Sequence, residues 1–460
     1  MKNEKFLELM GEIDEKLLER AREPKRRRLR KKAWISAIAA CLALCITIGA
    51  VFGLRGTDGT VTVNGFNVAA AVLPSDDVDE APFYNYYKRN GGIEAFYKAS
   101  LAEMLRTENG ENTVYSPANL YMALAMLAES TGGESREQIL TLLGKENLEE
   151  ARETAEALWN ISYAPGEKGT TLLANSMWFR NDYTPLLRGT TVKTLAEKYK
   201  VSTYSGRFTN EAYVNEMKNW VHENTNGFLK DMDMDWELDC GTAFCILSTI
   251  YFKDGWENIF DGTKNLTFYP TEEGEGVVCE FLALDGDGVT AYGAERFIAI
   301  EKPFENGGSM LFVLPDRGYT PSDLLADGEF LSFMANREGW QDVSRDLRDL
   351  RIPKFDISAE GRIDEKIKNL GVTNVFESGA DFTPLVKRKK PRVSKINQGT
   401  RIKIDENGCE AAGYVEIEGA DGDTIGLPKL VKFDRPFIFA VMTEEGIPLL
   451  TGTVNNPTES

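Results

Sequence analysis

Glu406-Asn407-Gly408-Cys409-Glu410-Ala411-Ala412-Gly413-Tyr414-Val415-Glu416-Ile417-Glu418-Gly419-Ala420-Asp421-Gly422-Asp423-Thr424-Ile425-Gly426 carries two signals at once. Its glycines and acids have the composition of an exposed loop. Beneath that, Cys409, Ala411, Gly413, Val415, Ile417 and Gly419 are small or apolar at every second position. Glu410, Tyr414, Glu416 and Glu418 fill most of the alternate positions. Period-two alternation marks a strand with one buried face. The segment therefore reads as a loop that can also become a strand.

The surrounding chain bounds what such a segment could do. It has 460 residues, 42% of them hydrophobic, and a net charge of -19. That is enough apolar material for a sizeable core, and the charge bias is too small for a disordered chain. Its acidity argues against nucleic acid as a partner, because phosphates need a basic face. Cys41, Cys45, Cys240, Cys245, Cys279 and Cys409 show no metal-type spacing and read as free thiols; no metal or cofactor is expected. His222, the one histidine, sits in a helical-looking stretch without a nucleophile elbow or zinc motif beside it. A hydrolase would have to be built on that single imidazole, so the chain does not read as an enzyme.

At the N-terminus, Phe6, Leu9, Ile13 and Leu17 recur at helical spacing until Pro24. A basic block follows, from Lys25 to Lys32, and then an uncharged apolar run from Ala33 to Leu54. About 20 apolar residues cross a bilayer as a helix, and positive charge stays on the cytoplasmic side. The expectation is a cytoplasmic amphipathic helix and basic segment (1–32), a membrane span (33–54) and an exported remainder. Two rivals are a cleaved signal peptide and a lipoprotein site, since Ile38-Ala39-Ala40-Cys41 resembles a bacterial lipoprotein cleavage sequence. Residues 55–90, rich in Gly, Asp and Pro and then aromatic, read as a spacer. The folded domain is expected over 91–457, with Phe96, Leu101 and Leu105 on its first helix.

Downstream, Tyr121 to Glu129 reads as helix, stopped by Gly132-Gly133. Ser135 and Gln138 stand at capping-box spacing. Phe244 to Phe252 and Leu311 to Leu314 are continuous apolar runs, the pattern of strands buried on both faces. Helical segments dominate the first half and strands the second, which predicts an α+β fold with at least one large sheet.

Several motifs resemble the serpin family in the family's own order. They are Asn112 through Ser116-Pro117, Asn175-Ser-Met-Trp178, Trp220-Val221 with Thr225 and Gly227, and Ile250-Tyr-Phe-Lys253 with Trp256. Pro353-Lys-Phe355, Phe433-Asp434-Arg435-Pro436-Phe437 and Gly452-Thr-Val454-Asn455 follow. Together with the leader, they make the chain look like a bacterial, membrane-anchored form. The resemblance implies a large mixed sheet with further sheets, a set of helices and an exposed reactive loop. It also implies a mechanism: a protease cleaves the loop, forms an acyl-enzyme, and is inactivated as the loop inserts into the main sheet.

By that resemblance the hinge is Glu406, Gly408, Cys409, Glu410, Ala411, Ala412 and Gly413, with Gly408 giving freedom to turn and Glu410, Glu416 and Glu418 staying solvated. Cys409 stands where the family prefers Thr or Ser, and Tyr414 where it prefers a small residue. A forward count from the hinge puts the scissile bond at Gly422–Asp423; a backward count from Pro428 and Phe433 puts it at Ile425–Gly426. Ser116, Asn119, Ser248 and Gln398 are expected to form a polar cluster holding the sheet shut, with Trp256 at the sheet's top. The implied partner is a serine or cysteine protease. Two alternatives stay open: a non-inhibitory surface binding module, and a transmembrane protease sensor.

Overall fold

The largest sheet among the described residues is built from seven strands. In the computed structural model they are β1 (Asn67–Ala69), β2 (Thr170–Arg180), β3 (Val201–Gly206), β4 (Phe244–Gly255), β5 (Phe355–Arg362), β6 (Asn397–Asp405) and β7 (Gly408–Cys409). The structure describes residues 66–74, 81–107, 110–166, 169–229, 238, 240–271, 274–285, 289–337, 340, 349–394, 396–410 and 430–459. Their spatial order is β1-β3-β2-β4-β7-β6-β5. β2 and β3 run parallel and the remaining pairs antiparallel, so the sheet is mixed.

A six-stranded sheet and a four-stranded sheet complete the β structure. In the first, Ser309–Pro315 lies between Phe297–Pro303 and Phe437–Met442 and is buried throughout, as the run Leu311 to Leu314 predicts. The same reading fails for Phe244 to Phe252. Most of β4 is half-buried, and Phe244 to Phe252 line a cleft.

Helices pack on these sheets. Glu94–Leu105 buries Phe96, Leu101 and Leu105 as expected. Pro117–Ser130 begins at Ser116, whose side chain accepts the Asn119 amide, with Pro117 at the first helical position where no donor is needed. All of its residues are buried except Asn119 and Ala123, which line the cleft. The capping box expected at Ser135 and Gln138 does not form. The next helix, Gly133–Leu143, starts at Gly132, and both side chains reach Asn374 instead.

Part of the stretch expected as spacer is folded. Asn67–Ala69 pairs with β3, Phe66 packs against Tyr213 at 5.0 Å, and Ala81–Arg89 is helical. His222 is exposed on the helix Glu211–Asn224. Cys240, Cys245, Cys279 and Cys409 are free thiols. Among the described residues no helix is long and apolar enough to cross a membrane; the segments 1–32 and 33–54, with Cys41 and Cys45, lie outside them.

Candidate functional site

β4 and β6 are bridged at one end by the two residues of β7, Gly408 facing Gly255 and Asp405, and Cys409 facing Asp254 and Ile404. Beyond β7, no strand pairing joins β4 to β6 among the described residues. A cavity of about 540 Å³ lies there, lined on its walls by Ser248, Ile250, Gln398 and Ile402 and at its far end by Phe244 and Arg392. β4 and β6 are therefore not paired with each other among the described residues, and Ala411 to Lys429, which follow β7 in the chain, lie outside them. The two residues of β7 lie between β4 and β6 at one end of this cleft.

The hinge residues are held individually. Cys409 is 3% exposed and faces the core, as the alternation predicts. Gly408 serves close approach: a Cβ there would lie 2.3 Å from the Asp254 carbonyl oxygen. The turn expected of Gly408 falls on Glu410, whose φ of 84° lies in the left-handed region, unusual for a residue with a side chain. Glu410 is not simply solvated. Its carboxylate lies 2.5 Å from Lys253 Nζ and accepts the Tyr251 hydroxyl at 2.9 Å. Its amide donates to the Lys403 carbonyl at 3.0 Å. The remaining hinge positions, Ala411, Ala412 and Gly413, and the scissile candidates Gly422, Asp423, Ile425 and Gly426, lie outside the described residues.

A clamp secures the turn between β6 and β7. Trp256 is buried, stacks on Phe304 at 5.0 Å, and donates from Nε1 to the Asp405 carbonyl at 2.8 Å. The Trp256 amide donates to the Asn407 carbonyl at 3.1 Å. Lys302, fully buried, donates to the Asn258 carbonyl at 2.7 Å and lies over the Phe260 ring at 4.6 Å. Burial pushes its ammonium down to about 8. Glu406 pairs with Lys354 at 2.7 Å. Burial raises its carboxyl, and the bond and charge of Lys354 more than offset that, leaving it below its ordinary value.

Two buried carboxyls flank β7. Burial pushes Asp254 up to about 6, against hydrogen bonds from Asn306 Nδ2 at 2.7 Å and the Gly255 amide at 2.8 Å. Burial also raises Asp405, whose carboxylate accepts the Asn407 amide at 2.9 Å.

The expected polar cluster resolves into two anchors on one segment, Thr113–Asn119. Asn119 Nδ2 donates to the Ser248 carbonyl at 2.9 Å, and Ser248 Oγ donates to Asn119 Oδ1 at 2.8 Å. Gln398 Nε2 donates to the Val114 carbonyl at 2.9 Å. Ser116 Oγ donates to the Leu449 carbonyl at 2.6 Å. Ser248 stands on one wall of the cleft and Gln398 on the other, so a single segment grips both.

Sequence reasoning missed Asp254, Lys302 and Lys354. Asp254 and Lys354 stand inside or beside quoted strand motifs as isolated charges, and a charge interrupting a strand was the available signal. Lys302 had none, since its burial depends on rings distant in sequence.

Comparison with known proteins matches this architecture. A family model described as Serpin (serine protease inhibitor) covers residues 94–457. Serpin-Z1B of Triticum aestivum is 29% identical over 370 residues, 75% of this chain and 90% of that protein. Mouse (Mus musculus) neuroserpin is 25% identical over 365 residues, 76% of this chain and 87% of its own. Among solved structures, the thermophilic serpin tengpin in its native state superposes with a TM-score of 0.70 at 23% identity, covering 86% of this chain and all of that one. Serpin48 of the insect Tenebrio molitor gives 0.66 at 22% identity, over 84% of this chain and 100% of its own. At those identities the two structures speak to the fold alone.

Proposed function

The chain belongs to the serpin family, a family of protease inhibitors and not of enzymes, and on that premise we propose that it is a suicide-substrate inhibitor of a serine or cysteine protease. The observation that carries the proposal is β7, two hinge residues already paired on both sides, with β6 and with β4.

Continuing the β7 register along β4 places Ala411 opposite Phe252, Gly413 opposite Ile250, Ile417 opposite Ile246 and Gly419 opposite Phe244. Along β6, Ala411 meets Ile402 and Gly413 meets Thr400. Phe244, Ile246, Ile250 and Phe252 pack against the main core, and Ile402 belongs to it. The small and apolar set of the loop thus shares the core-facing side with the apolar residues of both walls. In this register Gly419 would reach Phe244, the first residue of β4, so the alternating segment would span the whole of that strand.

In the reaction, the target's hydroxyl or thiol attacks the Gly422 carbonyl, the Asp423 amine leaves with a proton, and an ester or thioester joins the protease to the shortened loop. The corresponding bond at the alternative site is Ile425–Gly426. Insertion then competes with hydrolysis. Each ladder hydrogen bond contributes about 1 kcal/mol net, and apolar burial adds about 25 cal/mol per Å². Insertion also lets Glu410 return to extended backbone, relieving a cost on the order of 1 kcal/mol. At about 3.3 Å per residue, the ester travels the length of the sheet.

Tethering to a bacterial cell membrane through residues 33–54, with the folded body outside, is part of the proposal and rests on the apolar run and its basic flank. Incubation of the full-length chain with a panel of serine and cysteine proteases is the test. A covalent complex that survives SDS supports inhibition; clean cleavage with full protease activity removes it.

A further inference from the structure

Past the helix Glu211–Asn224 the chain turns sharply at Asn226 and Gly227, whose φ values of 48° and 76° both lie in the left-handed region. Phe228 follows, and it is engaged from both walls of the cleft. Its ring meets that of Tyr251 on β4 edge-on, with centroids 6.3 Å apart. The Arg401 guanidinium of β6 lies over the same ring at 4.9 Å and donates to the Phe228 carbonyl at 3.4 Å. Asp356 fixes that guanidinium with two bonds, at 2.8 and 2.9 Å. Tyr251 and Arg401 alternate along their strands with Ile250 and Ile402, which pack on the main core. Phe228 therefore lies across the cleft on the side of the sheet away from that core.

The same tyrosine reaches the hinge. Its hydroxyl donates to the Glu410 carboxylate at 2.9 Å and accepts from Asn226 Nδ2 at 3.3 Å. Tyr251 is buried, and burial, with the Glu410 carboxylate beside it, pushes the hydroxyl up to about 12, so it keeps its proton. A hydroxyl has a single proton to give. While Glu410 takes that proton, the oxygen's lone pairs are left for Asn226, and each bond polarises the other. Without that acceptor the hydroxyl rotates and the Asn226 bond weakens. Lys253 holds the Glu410 carboxylate from its own side, at 2.5 Å.

We propose that Tyr251 is a positioning residue that couples the seated hinge to the turn Asn226–Phe228: while Glu410 holds the hydroxyl's proton the turn stays docked across the cleft, and when the hinge moves the turn loosens. The purpose of the coupling rests on the insertion reading above. A strand growing from β7 between Tyr251 and Arg401 runs under Phe228. A turn that loosens as Glu410 moves clears that path in step with insertion and keeps it covered beforehand. Tyr251 contacts neither the target's nucleophile nor the bond it cleaves.

The test follows backbone amide hydrogen exchange in the uncleaved full-length chain. The turn is read through the Gly227 and Phe228 amides, which donate to the His222 and Thr225 carbonyls at 2.8 and 2.9 Å. Their exchange is referenced to that of the buried helix Pro117–Ser130, so that global unfolding cancels. Glu410→Ala is expected to speed exchange at the turn roughly fivefold, the effect of losing one net hydrogen bond. Tyr251→Phe is expected to do the same, and Glu410→Ala added to Tyr251→Phe to do nothing more. Glu410→Gln keeps an acceptor oxygen and keeps the turn protected. If Glu410→Ala leaves the turn unchanged, or speeds it equally in the Tyr251→Phe background, Tyr251 relays nothing and the proposal is overturned. No protease enters this measurement, so that outcome leaves insertion standing. Insertion is tested apart from it, by the SDS-stable complex; absence of the complex removes the purpose assigned to Tyr251 and leaves the measured coupling in place.

Discussion

Asn119 and Ser248 hold each other twice, amide to carbonyl at 2.9 Å and hydroxyl to amide oxygen at 2.8 Å, and so fasten β4 to the helix Pro117–Ser130. Gln398 fastens β6 to Val114, three residues before that helix begins. The two walls of the cleft have separate fastenings on one segment. Asn119→Ala strands the Ser248 groups and should cost about 1–3 kcal/mol; Gln398→Ala removes one bond and should cost about 1 kcal/mol. Because the anchors are separate, the double variant should be additive within about 0.5 kcal/mol. Urea unfolding of the four proteins measures this, and strong coupling would mean a single cluster after all.

Gly408→Ala places a Cβ 2.3 Å from the Asp254 carbonyl oxygen and 2.8 Å from Gly255 Cα. Neither backbone atom can move without breaking β4. The hinge should therefore leave the gap, at a cost of about 1–3 kcal/mol. Insertion then starts later, hydrolysis gains, and more inhibitor is consumed per protease molecule. Titration of active protease against the variant reads that ratio. An unchanged ratio would show that the seated hinge plays no part in inhibition.

Trp256→Phe keeps a ring against Phe304 and loses the Nε1 donor to the Asp405 carbonyl. An unsatisfied buried carbonyl costs about 1–3 kcal/mol. Trp256→Ala adds a cavity and should cost about 3–5 kcal/mol. Chemical denaturation distinguishes the two; equal losses would assign the residue to packing alone.

Asp254 predicts a pH dependence. Its carboxyl is raised from 3.8 to about 6 by burial. Between those values the folded protein holds a proton that the unfolded chain has released. This group's contribution is therefore fully present below about 4 and is lost as pH rises through about 6. Asp254→Asn preserves an oxygen acceptor for Asn306 and the Gly255 amide and removes the charge. The variant should gain stability over the wild type across that window, by up to about 3 kcal/mol at neutral pH. Melting curves from pH 4 to 7 for both proteins give the difference directly, and a constant difference across the window would contradict the assignment.

Local pattern carried much of this structure. The helix was legible over Tyr121 to Glu129 from its run of apolar residues, while its true start, the Ser116 cap with Pro117 at the first helical position, lies four residues earlier. The hinge's buried face was legible at Cys409 for a similar reason, since alternation needs no partner to be recognised. Ser135 and Gln138 show the limit: their spacing fitted a cap, and a more distant acceptor and donor at Asn374 claimed both side chains.

What the sequence determined by itself was the membership of each face, which residues of the loop and of the strands could tolerate burial. Tertiary structure decided that β7 stands between β4 and β6, which residue turns the chain at the hinge, and which charges are paired. These outcomes depend on strands and rings brought together from remote parts of the chain. Lys253 meets Glu410, and Trp256 meets the Asp405 carbonyl, across more than a hundred residues of sequence. Side-chain periodicity reports the environment a residue needs; only the assembled sheet determines which neighbour supplies it.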